Sequence, residues 1–278
     1  MAAGAAGFTG RRLQPIRMTN QSATNAIRFI VPPPLAHEVR RPNDIVERYV
    51  ADYRAVFGAN LVSVIMYGSA VTHEYRPRHS DINTVIVLDT CEITDLAKCL
   101  GIAGKWLGKK VAVPFFMTKE YIAGSLDSYP IEFIDMRSNY KVLFGEDVFA
   151  RLDIKKEDLR LQCERELRGI ALHLRREFVR TKGGRAALSL LLAASVKRLL
   201  PIFKALLVLN ERQIPKLKSD IIMAVEDQFN LGVSVFTELF GPVSRPRGAR
   251  PYGELFTTYA KTIDSLIATV NTTSYERA

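Results

Sequence analysis

The sequence predicts an α/β (α+β) protein: a mixed-sheet domain followed by an α-helical bundle domain. Short β-branched apolar runs, punctuated by glycine, proline and aspartate, occupy residues 61–136. Long stretches of helical character fill residues 157–270. The third observation is bulk composition. At 278 residues, with 47% hydrophobic and 24% charged side chains, the chain is an ordinary globular one with room for one large domain or two smaller ones. That balance excludes a wholly disordered, collagen-like or disulfide-stapled protein.

The elements follow in order. Residues 1–41 carry a Gly/Ala run, three consecutive prolines (Pro32, Pro33, Pro34) and little apolar periodicity, and read as a flexible N-terminal tail. A helix is expected from an Asn43 or Asp44 cap to Gly58, with Ile45, Tyr49, Tyr53 and Val56 mostly on one side. Strands are expected over 61–67 and 81–88, and a helix weakened by Gly101 and Gly104 over 90–107. A strand at 111–117 is pushed to a sheet edge by Pro114, and Thr118 caps a short helix. Pro130 then introduces a strand at 131–136, and a Gly145-Glu146-Asp147 turn closes the first domain, residues 42–150. The second domain, residues 151–278, reads as helices over 157–180, 185–210, 219–229 and 253–270, with Pro201 kinking or ending the second and a proline- and arginine-rich loop at 241–253.

Several function classes drop out. The longest uncharged apolar stretch, 186–196, is too short to cross a bilayer, so a cytoplasmic protein without a membrane partner is expected. Cys91, Cys99 and Cys163 have no paired spacing, and His37, His73, His79 and His173 form no helical metal pair, so any metal must be held by oxygen. The net charge of +10 is unevenly placed. Residues 1–41 hold six arginines against one acid, 42–150 hold 11 bases against 14 acids, and 151–278 hold 22 against 14. A mildly acidic middle flanked by basic surface suits a phosphorylated ligand or nucleic acid, although solvated helix faces explain most of the charge. Arg165, Arg168, Arg175 and Arg176 fall at helical spacing beside Glu164, Glu166 and Glu177, which suits surface ion pairs.

One segment carries chemistry. The run to Tyr67 ends at Gly68-Ser69, and after eleven intervening residues comes Asp81-Ile82-Asn83. Small residues at the turn let backbone amides approach a phosphate. Alternation on the next strand puts Asp81 and Asn83 on one face, where two oxygen donors beside a phosphate corner suit Mg²⁺. Glu132 on the expected 131–136 strand is the candidate third acid. Asp135 is the reserve, on the opposite face of a regular strand. Arg76, Arg78 and His79 in the intervening loop are secondary phosphate candidates.

These residues resemble the signature of the DNA polymerase beta-type nucleotidyltransferase superfamily, especially its minimal and aminoglycoside-type bacterial members: Gly-Ser, about a dozen residues, then two acids separated by a hydrophobic residue. Gly68, Ser69 and Asp81 match; Asn83 departs, standing where an acid is expected. The resemblance covers about residues 42–150. It implies that Gly68 and Ser69 hold the triphosphate of an NTP, with ATP the default. Asp81, Asn83 and Glu132 would hold Mg²⁺ or Mn²⁺, and Asp81 and Glu132 would serve catalysis of nucleoside monophosphate transfer to a hydroxyl of a small molecule, protein or RNA. With Asn83 in place, weak catalysis and a catalytically degraded nucleotide- or partner-binding module both follow. A homodimer is among the expected assemblies.

Overall fold

The computed structural model describes residues 41–77, 79–231, 235–240 and 251–272. The tail of residues 1–40, Arg78, and the proline- and arginine-rich loop at 241–250 lie outside these.

A 3-10 turn at Pro42–Ile45 leads into α1, Val46–Phe57, which stops at Gly58, where φ is +55° and a side chain would be strained. Neither Asn43 nor Asp44 caps it; the Asn43 amide oxygen instead accepts from Lys141 Nζ at 3.2 Å. The expected first strand is β1, Leu61–Tyr67, followed by a 3-10 turn at Gly68–Val71. The second, β2, begins at Asn83 rather than Asp81 and runs to Leu88. Upstream of it only Ile82 pairs, as a single bridge to Val111, because Asp81 is already exposed at the mouth of the loop.

The expected 90–107 helix is two: α2, Ile93–Lys98, and α3, Leu100–Leu107. The break falls at Cys99, whose thiol donates to the Leu96 carbonyl, and not at either glycine. Pro114 precedes a short β3, Phe115–Thr118, and Thr118 caps α4, Lys119–Gly124, by accepting from the Tyr121 N–H at 3.0 Å.

The expected 131–136 strand is a helix, α5, Pro130–Ser138. Ile131, Phe133, Ile134 and Met136 look alternating at first, but they fall into two pairs at i,i+3 spacing. Ile131 and Ile134 enter the helical core, while Phe133 and Met136 pack on the sheet. A helix buried on two sides loses its one-sided pattern. Pro130 sits in the first turn, where its missing N–H costs nothing. The strand that follows is β4, Tyr140–Gly145.

The sheet order is β3-β2-β1-β4, with β1 antiparallel to both neighbours and β2 parallel to β3. The edge placement expected for β3 is therefore present. Gly145, at φ +78°, meets Val62 across the β1–β4 pair so closely that an added Cβ would lie 1.9 Å from the Val62 carbonyl oxygen.

The helical part contains α6, Lys156–Thr181; α7, Arg185–Val196; α8, Leu199–Leu209; α9, Lys218–Gln228; α10, Val235–Phe240; and α11, Tyr252–Thr272. The expected 185–210 helix breaks before Pro201, which occupies the first turn of α8, and the α7–α8 pair bends by 40°. Among the described residues no single helix is long and apolar enough to cross a membrane.

The two faces of the sheet define where chemistry can occur. Val64, Met66, Ile82 and Ile86 pack with Tyr49, Tyr53 and Trp106, and Thr84 Oγ1 meets Tyr49 OH at 2.6 Å on that same α1 side. Ile65, Tyr67, Val85 and Val87 face Phe133 and Met136 of α5. By alternation Asn83 belongs to the α5 face.

Candidate active site

The site begins where β1 ends. Gly68 has φ +75°, and its N–H donates to the Asn139 carbonyl at 2.8 Å, which ties the turn to the end of α5. The following 3-10 turn leaves the N–H groups at its start without intrahelical acceptors. The Ser69 hydroxyl, half-buried, has no partner among the described residues.

Asn83 is the register partner of Tyr67, and a Cβ at Gly68 would lie 3.6 Å from Asn83 Nδ2. The chain thus brings the Gly68-Ser69 corner and Asn83 into contact, with Asp81 two residues upstream. Between them Ile82 is fully buried and Thr84 nearly so, while Asp81 is exposed and Asn83 half-buried. Neither the Asp81 carboxylate nor the Asn83 amide has a side-chain partner among the described residues.

The third acid is placed differently from expectation. Glu132 and Asp135 lie on α5, three residues apart, and so on neighbouring positions of one helix face rather than on opposite faces of a strand. Each is engaged. Glu132 Oε2 accepts from Gln162 Nε2 at 2.7 Å, while the same buried Gln162 accepts the Ile131 N–H at 2.7 Å. Asp135 Oδ1 accepts from Lys204 Nζ at 2.7 Å, and that lysine, 6% exposed, also donates to Ser138 Oγ at 2.8 Å.

The charge of Asp135 is felt at Tyr67, the last residue of β1. Burial pushes the Tyr67 phenol well above its usual range, and the negative charge of Asp135 adds to that. Neither strand flanking the β1–β2 pair offers a replacement acid. Residues 111–118 and 140–145 contain no Asp or Glu. Among the described residues no group of three or more His, Cys, Asp or Glu side chains is placed to share a metal ion.

The loop between the turn and β2 is closed by the Arg76 N–H donating to Ser80 Oγ at 3.0 Å and the Ser80 N–H donating to the Arg76 carbonyl at 2.7 Å. Arg76 and His79 are exposed on it. The helical part reaches this loop: Glu74 Oε1 accepts the Lys218 N–H at 3.3 Å. Burial pushes the Lys218 ammonium below the usual lysine range; Glu74 opposes that shift and the positive charge of Lys197 adds to it.

Sequence reasoning missed Gln162, Lys204 and Lys218. Lys204 alone left a legible mark, as a single cation in the otherwise apolar α8. The arginines of α6 do form ion pairs: Arg168 with Glu164 at 2.8 Å, Arg175 with Asp264 at 2.9 Å and Arg176 with Glu177 at 3.1 Å.

No family model and no curated protein matches the chain. Among solved structures, the chain is similar to spectinomycin adenyltransferase AAD(9) from Enterococcus faecialis, whose crystal structure contains ATP and spectinomycin. The sequence identity is 12%, the match covers 80% of this chain and 99% of that one, and the TM-score is 0.48.

Proposed function

We propose that the chain is a nucleotidyltransferase-like protein that receives the triphosphate of a nucleotide, ATP in the first instance, at the Gly68-Ser69 corner and transfers its nucleoside monophosphate weakly to a hydroxyl acceptor. One observation carries the reading: Gly68 and Asn83 lie side by side where β1 and β2 meet, with Ser69 and Asp81 close by in sequence, and the side chains of Ser69, Asp81 and Asn83 have no hydrogen-bond partner among the described residues. A turn with free N–H groups and a hydroxyl suits a phosphate, and a carboxylate beside it suits the cation that accompanies the phosphate.

The donor set fits one divalent cation of the Mg²⁺ or Mn²⁺ type. A carboxylate just before β2 and an amide oxygen at its first residue suit an ion that also takes phosphate and water oxygens. A second ion needs a further carboxylate, and the two on α5 are already hydrogen-bonded. When bound, such an ion supplies charge neutralisation at the transferred phosphate. Asp81 and Asn83 hold and orient; Ser69 and the turn amides bind the phosphates. Glu132, exposed and without a cationic partner, is the group proposed to accept the acceptor's hydroxyl proton. Asp135 is already neutralised by Lys204 and is set aside for that role.

A second reading, binding without turnover, is favoured by a specific observation: Asn83 stands where an acid is expected, and neither flanking strand carries one. The two readings separate in one experiment. The protein is incubated with α-labelled nucleotides, Mg²⁺ or Mn²⁺ and a cell extract, beside the variant Asp81→Asn. Labelling of an acceptor that disappears in the variant supports transfer. Saturable nucleotide binding without labelling supports the binding module, and neither labelling nor binding sinks both.

A further inference from the structure

A cavity of about 610 Å³ lies behind the phosphate corner, in the size range of small-molecule sites. Its wall includes Ala70 to His73, the residues directly after Ser69, and its floor includes Met66. Met66 packs on the α1 face of the sheet, whereas Asn83 belongs to the α5 face. The lining takes Met66 from the α1 side and Tyr140 from the α5 side, so the cavity lies at the end of the β1–β4 pair, and Ser69, Asp81 and Asn83 are not among its lining residues.

Its lining has a one-sided chemistry. Arg41, His73 and Lys141 bring cationic or cation-forming side chains, and no aspartate or glutamate lines it among the described residues. The Arg41 and His73 side chains have no hydrogen-bond or ion-pair partner among the described residues, and Lys141 spends one of its three donors on Asn43. Met66, Val71 and Tyr140 add an apolar and aromatic wall.

We infer that this cavity is a second binding site, for a small anionic molecule that joins a phosphate or carboxylate group to a flat apolar body. The anion meets Arg41, His73 and Lys141, and the body lies against Met66, Val71 and Tyr140. A cationic ligand is excluded by the same charges.

Phenyl phosphate is a suitable probe, followed by ligand-observed NMR on the full chain, with benzyltrimethylammonium as the cationic analogue of similar size. Phenyl phosphate is expected to bind saturably and the cationic analogue not to bind. The double variant Arg41→Gln, Lys141→Gln is expected to weaken phenyl phosphate about tenfold or more, since charge-assisted hydrogen bonds are lost. Asp81→Ala, which alters the nucleotide corner at a residue that does not line the cavity, should not weaken phenyl phosphate binding, so failure of the nucleotide reading and failure of this one are distinguishable. The inference is overturned if phenyl phosphate does not bind, if the cationic analogue binds equally, if the double variant binds normally, or if Asp81→Ala abolishes binding. His73→Gln, on the exposed rim, gives a second variant should the double one fold poorly, with weakening of severalfold expected and no change counting against the site.

Discussion

Replacing Lys204 by methionine tests how the helical part is fastened to the nucleotide corner. Its ammonium lies 2.7 Å from Asp135 Oδ1 and 2.8 Å from Ser138 Oγ, both on α5, whose following residue, Asn139, accepts the Gly68 N–H. The lysine side chain is 7% exposed and that of Asp135 is 34% exposed. Breaking a fully enclosed ion pair by removing one partner costs about 3–5 kcal/mol, because the other charge is left buried and alone. With about a third of Asp135 in contact with water, part of that penalty is relieved, and about 2–3 kcal/mol is expected. In urea unfolding, with a slope of roughly 2 kcal/mol per molar, the midpoint falls by about 1 M. Removing both charges, in Lys204→Met with Asp135→Leu, should recover most of the loss, giving a coupling of about 1–3 kcal/mol. A single-variant cost under about 0.5 kcal/mol, or a double variant equal to the sum of the singles, refutes the reasoning.

Gly145→Ala forces a side chain into a left-handed backbone conformation and to 1.9 Å from the Val62 carbonyl oxygen, so unfolding in urea should show a loss of about 2–4 kcal/mol; a loss below about 1 kcal/mol contradicts the β1–β4 register. Burial pushes the Tyr49 phenol up from about 10 to about 12 and pushes Tyr53 and Tyr259 higher still. Between pH 10 and about 12 the unfolded chain loses phenolic protons that the folded chain keeps, so stability should fall as pH rises through that window. An absorbance titration should find these tyrosines ionising only as the protein unfolds, and reversible ionisation of all ten near pH 10 with the fold intact would contradict their burial. Asn83→Asp adds a unit charge where a cation is proposed to sit. At about 4 Å and an effective dielectric near 20 that is roughly 4 kcal/mol per ion charge before hydration offsets it. ATP binding in Mg²⁺ should tighten about tenfold or more and stay unimproved in EDTA; equal binding in Mg²⁺ contradicts the proposed metal role.

The parts of this protein that could be read from the chain are those whose signal is local. β1 is a compact apolar run that ends in Gly-Ser, and Ile82 and Thr84 are buried as strand alternation requires, so the corner was visible before any coordinates. The α5 helix was not, because burial on two sides spaces its apolar residues 131, 133, 134 and 136 in a way that begins as alternation. β4 was missed for the opposite reason: it buries none of its residues completely, and its Tyr-Lys-Val-Leu-Phe-Gly run reads as neither core strand nor turn. The partners of the two α5 acids were the least legible. Glu132 meets Gln162 and Asp135 meets Lys204, 30 and 69 residues further along, and no spacing rule connects them. Lys204 advertised itself as a lone cation in an apolar helix, yet its partner could be named only once α5 and α8 were packed together.

The nucleotide corner is tested most directly by calorimetric titration of ATP in Mg²⁺ into the full chain and into Ser69→Asp. The substitution places a negative charge on a half-buried side chain that makes no hydrogen bond among the described residues. The account predicts saturable heat for the unmodified chain, its loss in Ser69→Asp, and thermal midpoints within a few degrees of each other. Absence of binding to the unmodified chain, or identical binding to both, contradicts it.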